Sequence, residues 1–127
     1  MKPRPTMLLG IAILLTAIPL FGHHSFATEW DGNKPVTLTG AVMRLDLMNP
    51  HCWLYLNVKE ANGTTTSWGV ELGPVAEMHR QGWDKTSVNP GSTITVEGFL
   101  AKKGSNMASA HLVKLASGKI IFTSAKE

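Results

Sequence analysis

Two histidine-bearing stretches hold the residue types from which a metal or ligand site is built: the adjacent pair His23-His24, and the run Met48-Asn49-Pro50-His51-Cys52-Trp53. Imidazole nitrogen suits copper and zinc, and a free α-amine, with a pKa of about 8, adds a donor once it loses its proton. If the chain is cut after Gly22, that amine belongs to His23. His23, His24 and His51 are then the candidate ligands for Cu or Zn, with Met48 as a soft thioether donor if the metal is copper. Neighbouring side chains on a strand point to opposite faces, which weakens any arrangement in which both His23 and His24 reach one ion. The competing readings are a solvated N-terminal pair and, for His51, a hydrogen bond that steadies the Asn49-Pro50 turn. His79, His111, Met43, Met78 and Met107 read first as packing or solvated residues, because nothing in the spacing gathers them.

Alternation sorts the second stretch onto two faces. His51, Trp53 and Tyr55 share one parity, while Cys52, Leu54, Leu56 and Val58 share the other. Aromatic walls with a few charges suit a small polar ligand or a peptide segment. Trp53, Tyr55, Glu71, Arg80 and Trp83 are the candidate ligand-binding residues, with Lys59 as a further charge nearby. The structural alternative has Trp53 or Trp68 filling the core and Glu71 pairing with Arg80. No residue is assigned a catalytic role: the chain has no glycine-rich phosphate loop, no His-Glu-x-x-His and no nucleophile elbow. His51 and Cys52 face opposite ways and make a poor base and nucleophile. Cys52 is the only cysteine, so no intramolecular disulfide forms; it is a buried inert thiol, a metal ligand or a link to another chain.

These residues depend on what precedes them and on the elements that carry them. Lys2 and Arg4 lead into the apolar or small run from Met7 to Phe21, the pattern of a secretory signal peptide over residues 1–22. As a helix, that run spans about 22 Å, short of a hydrocarbon core of about 30 Å, so no stable membrane insertion is expected after cleavage. Cutting after Ala27 fits the small-x-small rule better than cutting after Gly22, and it would remove both histidines. The expected location is the periplasm or the extracellular medium. The formal charge of +3 includes Lys2 and Arg4, which leaves the mature chain near +1. A chain with so little basic surface is not expected to bind nucleic acid.

Residues 23–127 are expected to form one domain. From Pro35 a long strand changes apolar parity, with Val36, Leu38 and Val42 on one face and Met43, Leu45 and Leu47 on the other, as at a bend or bulge near Gly40. A second strand covers His51–Val58, and Asn62-Gly63 signals a type I′ hairpin turn into a third strand, Thr64–Leu72. Pro74 opens a short helix that Gly82 stops. Ile94–Leu100, Ala108–Leu115 and Ile120–Phe122 complete the strands, and the loop Lys102–Met107 is the most polar. Three strands, a short helix and two or three more strands predict an all-β protein, a small five- to six-stranded OB-like barrel with the helix between strands three and four.

The plan is similar to that of bacterial periplasmic OB-fold proteins. More narrowly, the chain resembles an uncharacterised family of small exported bacterial proteins marked by His-His-Ser-Phe-Ala, here His23–Ala27. The likeness continues through Lys34–Gly40, Asn49-Pro50-His51 with Trp53, Trp68 with Glu71–Gly73, Arg80 with Gly82-Trp83, and Val96–Gly98. It implies cleavage before His23 and carries no activity with it. The function expected is a non-catalytic periplasmic binding or accessory module for a small ligand or protein segment; the alternative is a copper or zinc protein that uses the mature N-terminus.

Overall fold

Cys52, Leu54, Leu56 and Val58 are all buried, and every second side chain between them is not. That alternation is what holds the segment extended, because only an extended chain sends alternate residues to one face. The computed structural model describes residues 26–124. The expected leader at residues 1–22 and the His23-His24 pair lie outside them. A short helix α1 (Phe26–Glu29) is followed by β1 (Trp30–Asp46), β2 (Trp53–Lys59), β3 (Thr65–Glu71), helix α2 (Val75–Arg80), β4 (Thr93–Ala101), β5 (Met107–Leu115) and β6 (Ile120–Thr123).

The parity change in β1 is a bulge against β2: Val42 pairs with Leu56 and Arg44 with Tyr55, which leaves Met43 over. A second irregularity sets Glu97 opposite Leu112 but Gly98 opposite Ala110, so His111 is the extra residue and β5 changes parity there. Backbones cross closely beside both places. A Cβ on Gly40 would lie 2.4 Å from the Asn57 carbonyl oxygen, and one on Gly98 would lie 2.0 Å from that of Ser109. Glycine is required at each, and the crossings bend the sheet. The expected type I′ turn does not form. Gly63 takes a φ of 86° but Asn62 does not go positive, and a longer loop closes through Glu60 N–H donating to the Thr64 carbonyl and Gly63 N–H to that of Glu60.

The expected closed OB-like β-barrel is corrected. The strands form one six-stranded sheet in the linear order β3-β2-β1-β4-β5-β6, with β6 added beyond β5 as an outer strand. β3 and β5 touch in a parallel patch of only three residue pairs, Gly69 to Glu71 against Met107 to Ser109, which is not a closing ladder along the strands. Periodicity indicates which face a residue takes; it carries no information about which strand edges meet.

The concave side of the coiled sheet encloses Leu54, Leu56, Val70, Ile94, Val96, Val113 and Phe122, all at 2% exposure or less. Each contributes about 1.5–3 kcal/mol by leaving water. Met78 of α2 enters the same cluster. The segment after α2 also caps the outer edge of β6: the Gln81 amide accepts from Thr123 N–H and donates to the Thr123 carbonyl. A side-chain amide stands there in place of a neighbouring strand, which protects an edge otherwise open to pairing.

Candidate functional site

On the convex side, opposite the core, the antiparallel register sets Trp53 beside Glu71 and Tyr55 beside Gly69 on β3, with Asp46 and Arg44 as their partners on β1. Gly69 offers no side chain, and both rings come down over it. A Cβ there would sit 3.6 Å from a ring carbon of Tyr55 and 3.7 Å from two of Trp53. The Arg44 guanidinium stacks 3.9 Å above the Tyr55 ring centre, and its Nε donates to Asp46 at 3.3 Å. Nε is thereby occupied, Tyr55 also bonds the guanidinium, and 58% of the Arg44 side chain stays exposed. The result is an aromatic shelf with a flat-lying cation at one end.

A cavity of about 490 Å³ opens over this shelf, bounded by Met43, Arg44, Trp53, Tyr55, Trp68 and Met107. A second, of about 300 Å³, adjoins it at Trp53 and Met107 and is bounded on its far side by Glu29, Trp30, Glu71, Lys102 and Lys103. Lys102 donates from Nζ to the Ala27 carbonyl. Trp68 belongs to the opposite parity, across from Leu56, and packs on the core. Its indole N–H is enclosed without an acceptor among the described residues.

Glu71 lines the second cavity on its far side, beside the turn before β2. His51 Nδ1 lies 3.5 Å from its Oε1, and only 12% of the Glu71 side chain is exposed. Burial, then the negative charge of Glu29, push its carboxyl up to about 7, against a lowering hydrogen bond from the Trp30 side chain. A carboxyl so raised holds its proton more readily than an ordinary glutamate, and a cation drawn between it and Glu29 would favour its charged form.

The five residues singled out for ligand binding separate. Trp53, Tyr55 and Glu71 line the cavities. Trp83 is 3% exposed, donates from Nε1 to the Ile121 carbonyl at 2.6 Å and meets Phe122 edge to face. Arg80 is exposed on α2 and lines neither cavity, and the side chain beside Glu71 is His51 rather than Arg80. Arg44, Met107, Trp30 and Glu29 were not singled out. Arg44 joins through cross-strand register and Met107 through the β3–β5 contact, neither of which leaves a local pattern. Trp30 precedes the strand expected from Pro35 and joins β1 through its pairing with Ala101.

The thiol of Cys52 is buried on the core side and donates to the Met48 carbonyl at 3.6 Å. Burial raises its pKa, against the lowering effect of that bond. It is held away from His51, which lies on the opposite face, and from solvent, so it is a poor nucleophile. For the copper or zinc alternative, His51 is placed beside Glu71, and His23 and His24 lie outside the described residues. Among the described residues no group of three or more His, Cys, Asp or Glu side chains is arranged to hold a metal ion. Among them, too, no helix is long and apolar enough to cross a membrane.

No curated protein matches the chain. Residues 12–110, most of its length, match the sequence pattern of DUF6152, a family of unknown function, and the chain belongs to that family.

Proposed function

We propose that this protein is a non-catalytic periplasmic binding or accessory module that takes a small ligand or protein segment on the convex face of β2 and β3. The observation that carries the reading is the shelf made by Trp53 and Tyr55 over Gly69 with Arg44 flat above it. Large apolar surface is kept partly open there rather than sent to the core, with charged groups at its margins, the composition of a recognition site. Native mass spectrometry of the protein purified from its own compartment tests this. A bound species is expected on the wild type and is expected to be lost at least tenfold in Trp53→Ala; a bare wild-type mass, or equal retention by the variant, would count against the proposal.

Export rests on the basic and apolar leader. Cleavage before His23 is favoured over cleavage after Ala27 because Phe26 packs edge to face on Phe99 with ring centres 5.5 Å apart, and Ala27 holds Lys102. Removing Phe26 would discard that contact. The expected intact mass of the periplasmic protein starts at His23; a mass starting at Thr28, or a full-length cytoplasmic product, would overturn this step.

A further inference from the structure

The two cavities meet at Trp53 and Met107, and the charges at the far ends of the combined trough are opposite. At one end the Arg44 guanidinium is held through Nε by Asp46 and stacked on Tyr55, and the side chain, 58% exposed, borders the cavity with its planar fork of N–H donors. Such a fork matches a carboxylate in two-pronged fashion. At the other end Glu71, with His51 3.5 Å away, and Glu29 line one cavity together with Trp30 and Trp53. Two carboxylates with aromatic walls match an ammonium group. Of the two lysines there, Lys102 is committed to the Ala27 carbonyl and Lys103 stands exposed at the rim.

Register sets the distance between these ends. Arg44 pairs with Tyr55 and Glu71 with Trp53, so they occupy diagonal corners of a patch two strand spacings wide and two residues long. That diagonal is about 12 Å between Cα atoms, and side chains leaning inward shorten it. An extended chain of three residues reaches about 10 Å.

Resting on the proposed binding role of this face, we infer that the trough takes a short linear peptide of about three residues with free termini. Its α-carboxylate lies on Arg44, its α-ammonium between Glu71 and Glu29, and its middle side chain on Trp53 and Tyr55. Charge order and length select this ligand: a monomeric amino acid is too short to reach both ends, and a chain blocked at either terminus loses one of them.

The test is titration of the mature protein with alanyl-phenylalanyl-alanine, its N-acetyl form and its C-terminal amide, followed by calorimetry. The free peptide is expected to bind, and each blocked form to bind at least tenfold more weakly. Glu71→Gln is expected to cut the penalty for acetylation to less than threefold while keeping that for amidation; Arg44→Gln should do the reverse. Circular dichroism verifies that each variant is folded. Blocked peptides that bind as tightly as the free one, with binding still lost in Trp53→Ala, would overturn the terminal assignment and leave the shelf as a binding face. Absence of binding by all three peptides, with a Trp53-dependent species still present on the native protein, would likewise overturn the peptide and spare the broader proposal. Peptide binding that is indifferent to Trp53→Ala would overturn both.

Discussion

Trp83→Ala is expected to lower unfolding free energy by about 3–5 kcal/mol, the cost of deleting a large buried aromatic. Trp83 is 3% exposed, its ring meets Phe122 at 6.5 Å edge to face, and its N–H holds the Ile121 carbonyl on the outer strand. Its own backbone N–H donates to the Met78 carbonyl, which ties the end of α2 to the same corner. Alanine therefore opens a cavity under β6 and leaves the Ile121 carbonyl without its partner at once. Trp83→Phe keeps most of the ring and loses only the donor, for which about 1–3 kcal/mol is expected. Urea unfolding resolves these values through a shifted midpoint at unchanged slope. Trp53→Ala serves as contrast: its ring lies on the open face, so a smaller change, about 1 kcal/mol, is expected alongside its loss of binding. If Trp83→Ala were as stable as Trp53→Ala and lost ligand instead, Trp83 would belong to the recognition surface after all.

Trp83 also shows where sequence reading reaches its end. It follows a short helix and lies near Glu71 and Arg80 in the chain, and proximity along the chain suggested a shared pocket. The helix instead runs to β6, nearly forty residues further on, where Gln81 and Trp83 find their partners. Local alternation was a sound guide for β2, where Cys52 to Val58 declare the buried face and so put Trp53 and Tyr55 outside it. It also located the change of face in β1, because an extra residue necessarily shifts parity; the bulge falls at Met43, three residues beyond the glycine. Arg44 joins the site only because that bulge sets it opposite Tyr55, and Met107 only because β3 and β5 run parallel for three pairs. The linear sheet order is a non-local property of the same kind, and the barrel expectation failed on it. The start of β1 was not read from the sequence, where the first strand begins at Pro35; Trp30 is held in β1 by pairing with Ala101, far along the chain.

Between pH 5 and pH 8 the wild type is expected to lose stability relative to Glu71→Gln. The carboxyl ordinarily titrates near 4.5 and is pushed up to about 7 in the folded protein, first by burial and then by Glu29. Below pH 4.5 it is protonated in both states and contributes nothing to the difference. Between 4.5 and about 7 the unfolded chain gives up this proton while the folded one retains it, so stability falls as pH rises. Above about 7 both are ionised and the loss is complete. A shift of this size in a fully enclosed group corresponds to about 3 kcal/mol, and the solvent that reaches one edge of Glu71 reduces it to the order of 2 kcal/mol. Glutamine keeps the shape and the acceptor for Trp30 without the charge, so its advantage should be near zero at pH 4 and reach its full value by pH 8. The other ionisable groups around the carboxylate, His51, Glu29, Lys102 and Lys103, are common to both proteins, and the difference between the two at each pH removes their direct contributions. Urea unfolding of the pair across this range measures the effect. A gap that stays constant with pH would place Glu71 in ordinary contact with water, and a gap that reverses sign would mean that His51 or the lysines dominate it. In the first case the carboxylate end of the trough would lack the poorly solvated charge that makes an ammonium ligand favourable there; in the second, that charge would already be neutralised from within the protein.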